Sequence, residues 1–138
     1  MARTFNWPVR VYWEDTDAGG VVYYANYLRF MERARSEWLR TLGVDQAALA
    51  RTERLQFVVV EVQVRYRKPA RYDDWLAVGV TLQEWRGASL TVGQEIRRAG
   101  DGGELLVAAT VRAACVDSES LKPRPLPAAL LEELEREH

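Results

Sequence analysis

The chain has 138 residues, 48% hydrophobic and 28% charged, with a formal net charge of −1. That length and balance fit one domain over residues 1–138, able to bury a core without disulfide or metal staples. Acidic and basic residues are interleaved, no run of about 18 apolar residues occurs, and no apolar leader opens the chain, so nucleic-acid binding and a membrane span are excluded and a cytoplasmic location is expected. The one histidine is His138 and the one cysteine is Cys115. A histidine triad, a His-rich metal site and an internal disulfide are therefore ruled out. Acid–base chemistry must use carboxylates, tyrosines, lysines or water.

Residues 9–14 alternate, with Val9, Val11 and Trp13 on one side and Arg10, Tyr12 and Glu14 on the other, which predicts a strand. Asp15 and Asp17 end it, and Gly19 and Gly20 follow. From Asn26 to Leu42 the period becomes helical, and Tyr27, Phe30, Met31, Ala34, Trp38 and Leu42 form one apolar stripe. Asn26 is the expected N-cap, Gly43 the expected stop, and Arg33 and Glu37 are spaced to pair. A short second helix is expected within 44–56. Val58, Val60, Val62, Val64 and Tyr66 then alternate through a long strand that Pro69 ends. Further strands are expected from Leu76 to Leu82, from Ser89 to Arg98 and from Glu104 to Val116. The turns Arg86-Gly87-Ala88 and Gly100–Gly103 join these three into an antiparallel meander. After Pro123, Pro125 and Pro127 comes a short helix with Leu130, Leu131 and Leu134 on its apolar side. The fold class is α+β, a long helix packed on one face of a curled antiparallel sheet. The open edges of such a sheet offer a route to a dimer.

Residues 14–27, Glu-Asp-Thr-Asp-Ala-Gly-Gly-Val-Val-Tyr-Tyr-Ala-Asn-Tyr, carry the densest chemistry. A carboxylate on a glycine turn that faces a helix start can activate a nucleophile beside free backbone amides. The Asp15-x-Asp17 opening is not a calcium loop: residue 19 is Gly where an oxygen ligand is needed, and residue 26 is Asn where the closing Glu belongs. Asp15 reads as the acid that holds the turn through side-chain-to-backbone bonds.

The run from Val9 to Arg35, together with Arg71-Tyr72-Asp73-Asp74, Trp85-Arg86-Gly87-Ala88-Ser89, Cys115-Val116-Asp117 and Lys122-Pro123-Arg124-Pro125-Leu126-Pro127, resembles the hot-dog-fold acyl-CoA thioesterases. The resemblance is closest to the Tol-Pal-associated YbgC-type group and to 4-hydroxybenzoyl-CoA thioesterase. It implies a helix wrapped by an antiparallel sheet, pairing into a homodimer or homotetramer with sites at the interface, and catalysis with no metal or organic cofactor, coenzyme A being part of the substrate. The family's catalytic carboxylate falls on Asp17. Where YbgC-type members commonly carry His, this chain has Tyr24, as the 4-hydroxybenzoyl branch does.

On this reading Asp17 acts as nucleophile or as general base toward water, two roles the sequence leaves open. Amides near Tyr24, Ala25 and Asn26 are the candidate oxyanion donors, and the Tyr24 hydroxyl is a candidate for orienting water or substrate. Phe57, Val58 and Val59 are candidates for an acyl-pocket wall. Arg86 and Ser89 are candidates for the nucleotide of coenzyme A, with Lys122 and Arg124 as further basic groups. Two other functions stay open: a thioesterase acting on acyl carrier protein, and a non-catalytic acyl-binding or envelope-complex module.

Overall fold

The protein was analysed as a computed structural model that describes residues 3–100 and 103–137. Residues 101 and 102 of the expected Gly100–Gly103 turn, and His138, lie outside the described residues. Besides a short 3-10 turn at Trp13–Asp15, the described residues form, in chain order, β1 (Thr4–Arg10), α1 (Asn26–Thr41), α2 (Gln46–Glu53), β2 (Leu55–Tyr66), β3 (Trp75–Arg86), β4 (Ser89–Arg98), β5 (Leu105–Asp117) and α3 (Ala128–Glu137). The strands form one antiparallel sheet in the order β1-β3-β4-β5-β2.

The expected stripe buries α1 against the concave face of that sheet. Phe30, Met31 and Ala34 have no exposed surface, and they join Leu76, Val78, Val80, Val92 and Ile96 in one core. Ala34 carries only a methyl group, so the helix can approach the strands closely there. Leu130 and Leu134 of α3 close one end of this core, and the Trp38 indole N–H donates to Glu137 Oε1 at 3.1 Å. Gly43, at φ +83°, ends α1 in the left-handed conformation that a side chain disfavours. The short second helix expected within 44–56 is α2, capped by Asp45, whose Oδ1 accepts from Ala48 N–H at 3.1 Å.

The meander of β3, β4 and β5 stands as expected. What the alternation did not specify is where β2 goes: it crosses the molecule to pair with β5 and becomes an edge strand. A register shift between Val59 and Glu61 bulges β2 midway.

Three local expectations are corrected. The strand expected at 9–14 lies at Thr4–Arg10 and ends before Trp13, which is 68% exposed. The carboxylate of Asp15 accepts from Tyr12 N–H at 2.8 Å and pulls 13–15 into a 3-10 turn. Pro8 pairs with Ala77 inside this strand, and an edge strand tolerates its missing N–H. The N-cap is Ala25 rather than Asn26, because the backbone is already helical at Ala25 and the Asn26 side chain turns inward. Glu37 pairs with Arg40 instead of Arg33, whose guanidinium lies 5.9 Å from the Phe30 ring centroid.

Candidate active site

Asp17 sits at the tip of a small hairpin. Its N–H donates to Val21 O at 2.9 Å, its carbonyl accepts from Gly20 N–H at 3.1 Å, and Thr16 bridges to Val22. Gly20 adopts φ +80°, which closes the turn. The carboxylate stays exposed. One oxygen accepts from Gly19 N–H at 2.8 Å, and among the described residues nothing else bonds to it. A Cβ at Gly19 would lie 3.2 Å from that oxygen, so a side chain there would crowd the acid.

Asp15 does the opposite. It is 7% exposed, and its Oδ1 accepts from the side-chain amide of Asn26 at 2.6 Å while its backbone carbonyl accepts from Tyr23 N–H at 2.9 Å. One buried acid thus ties the Asp17 hairpin to the first residue of α1. One N–H of the Asn26 side-chain amide makes this bond, and its backbone N–H donates to Tyr23 O at 2.8 Å. Asn26 therefore braces the frame beneath the site through both its side chain and its backbone N–H.

The N–H groups of Tyr24 and Ala25, by contrast, have no hydrogen-bond partner among the described residues. They are the donors a helix start leaves over. The Tyr24 ring is 63% exposed and packs edge-on to Tyr66 at 6.2 Å. The Tyr66 hydroxyl donates to Tyr24 O at 3.1 Å, and burial together with Tyr24 holds its pKa above the usual phenol value.

The remaining candidates lie elsewhere on the sheet. Phe57, Val58 and Val59 line a cavity of about 150 Å³ between β2 and α1, faced by Trp38, Leu90 and Arg35. Arg86 lies exposed on the β3–β4 hairpin, and the Ser89 hydroxyl is turned back onto Arg86 O at 3.3 Å. Lys122 is exposed. Arg124 is committed: it donates to Glu53 O at 2.8 Å and lies 3.6 Å from Asp117.

The strand register separates these two groups. Ser89 pairs with Ala114, which pairs with Val58, while Ile96 pairs with Val107, which pairs with Tyr66. Eight residues of β2 separate the two rows, about 26 Å at the rise of a strand. Asp17, Tyr24, Ala25 and Asn26 cluster at the Tyr66 end; Phe57, Val58, Val59, Arg86 and Ser89 cluster at the other.

Sequence reasoning missed Tyr66, Arg35 and Gln94. Gln94 is fully buried, donates to Met31 O and Gly79 O, and accepts from Arg35 Nη1 at 2.9 Å. Burial lowers the Arg35 pKa. The available signal was a polar residue on the inward phase of β4, between Val92 and Ile96. Cys115 is buried, and burial raises its thiol pKa.

A curled antiparallel sheet around one central helix is the hot-dog fold. Residues 11–134 match the family model of the thioesterase-like superfamily. The acyl-CoA thioester hydrolase YbgC of Escherichia coli O6:H1 is 48% identical over 132 residues, covering 96% of each chain. The 1,4-dihydroxy-2-naphthoyl-CoA thioesterase of Synechocystis superposes with a TM-score of 0.88 at 25% identity, over 96% of each chain. A variant of 4-hydroxybenzoyl-CoA thioesterase, solved with 4-hydroxybenzoyl-CoA, shares the fold with a TM-score of 0.88 at 24% identity, over 96% of this chain and 99% of that one. The chain belongs to the thioesterase-like superfamily, in its YbgC-type branch.

Proposed function

We propose that the protein hydrolyses acyl-CoA thioesters, with Asp17 as the attacking or water-activating carboxylate. The observation that carries this reading is an exposed carboxylate, fixed by its own turn, tied through Asp15 to a helix start whose Tyr24 and Ala25 N–H groups are unspent. Attack on the thioester carbon pushes the carbonyl π pair onto oxygen, where amide donors bond more strongly as charge develops. Collapse then expels the coenzyme A thiolate. Direct attack leaves a mixed anhydride for water to open; the general-base route delivers water in one step.

The candidate acyl and nucleotide residues lie on the Val58 row, and Tyr66, which bonds the helix start, lies eight residues further along β2, about 26 Å at the rise of a strand. Two copies pairing antiparallel along their β2 edges would lay the Tyr66 end of one against the Phe57 end of the other. We therefore assign the working site to a dimer. Three observations support this: β2 is an edge strand, Val59, Val60 and Val62 on it are 46%, 48% and 38% exposed, and the site residues divide between its two ends.

The test is thiol release from short aliphatic, long aliphatic and hydroxybenzoyl CoA esters, with Asp17→Asn beside wild type. Turnover by wild type that the variant loses, with folding and coenzyme A binding retained, is the expected result. Full turnover by the variant removes Asp17 from the mechanism. No turnover of any CoA ester, with hydrolysis of acyl carrier protein esters, would transfer the activity to that carrier.

A further inference from the structure

We infer that Tyr66 is a positioning residue that sets the direction of the Ala25 N–H through the peptide bond between Tyr24 and Ala25. This rests on the thioesterase reading above. A trans peptide is planar, so its carbonyl and its N–H point in opposite directions. No cis peptide occurs among the described residues. The Tyr66 hydroxyl donates to the Tyr24 carbonyl at 3.1 Å. With that carbonyl aimed at β2, the N–H of the same unit is aimed away from β2, and it is one of the two unspent donors at the helix start. A peptide in a turn ahead of a helix has no ladder to fix its plane, and rotation of this unit would turn the donor aside. The hydroxyl supplies the missing constraint. It also polarises the amide, because a hydrogen bond accepted by a carbonyl strengthens the N–H of the same unit as a donor.

The hydroxyl is the part in question, because the ring is held independently: it lies 5.6 Å from Tyr27 and 6.2 Å from Tyr24. Tyr66→Phe keeps those contacts and removes only the donor. The experiment measures kcat and KM of wild type, Tyr66→Phe and Asp17→Asn on an acyl-CoA ester that wild type hydrolyses. It also records the amide ¹⁵N resonance of Ala25 in wild type and Tyr66→Phe. A fall in kcat of about tenfold, with KM nearly unchanged, is expected for a donor misaimed rather than deleted. The Ala25 resonance should move while those of β3 and β4 stay in place. Unchanged kcat, or an unmoved Ala25 resonance, overturns the inference. An equal loss in kcat accompanied by shifts throughout the sheet also overturns it, by reducing Tyr66 to packing. Full turnover by Asp17→Asn would instead sink the thioesterase mechanism itself, whatever Tyr66→Phe does.

Discussion

Asp15 and Asp17 are two residues apart and have opposite fates. Asp17 keeps its carboxylate in water with one local bond, while Asp15 is buried and bonded to Tyr12 N–H and the Asn26 amide. A buried carboxylate is tolerable only when its lone pairs are met. Asn26→Ala removes one of those donors from a position with 7% exposure, and it should cost about 2 kcal/mol in denaturant unfolding. Turnover should fall as well, because the same bond ties the Asp17 hairpin to α1. A variant with wild-type stability would show that water replaces the amide without cost. Asp15 was legible as a structural acid from its place in the turn. The cap position is Ala25 rather than Asn26, because sequence gives the residue type that starts a helix but not the direction in which the side chain turns.

At the scale of elements, period decides what can be read. The α1 stripe and the three meander strands announced themselves through repeats of 3.6 and 2, since burial on one face imposes both. The pairing of β2 with β5 left no such trace: β2 alternates equally well beside any neighbour. The break between strand and turn at Trp13 was hidden for a related reason, since the alternation runs on through residues that a side-chain bond has already bent. Beyond β5 the chain is held by Asp117, whose Oδ1 accepts from Glu119 and Ser120 N–H at 2.9 and 3.0 Å. These backbone bonds, Ser120 first, and then Arg54 lower its pKa to about 2. The folded value lies below the unfolded one of about 3.9. The stabilisation is therefore complete above about pH 4 and is lost as pH falls toward 2. Acid unfolding of Asp117→Asn should show a shallower slope in that window than wild type; equal slopes would mean the carboxylate adds nothing to folding.

For the whole molecule, the proposed dimer builds the site from two chains. Residues readable as candidates one by one divide between the two ends of β2, and only the register reveals it. Val62 is partly exposed on that edge strand. Val62→Lys should leave the fold intact, since little core contact is lost, yet convert the species in sedimentation to a monomer and abolish turnover. A monomer with full activity would place the whole site within one chain and refute the composite arrangement.

The same edge has a consequence for the newly made protein. β2 reads Leu-Gln-Phe-Val-Val-Val-Glu-Val-Gln-Val-Arg-Tyr, and Glu61 and Arg65 are its only charges. Sheet proteins usually guard such borders with lysine, proline or short strands. Here the guard would be a second copy, so a chain at low concentration presents an unprotected template for cross-β stacking. Pairing with a second copy and cross-β stacking both need chain–chain encounters at the same edge and so compete during refolding, and a charge placed on β2 should trade enzyme for solubility.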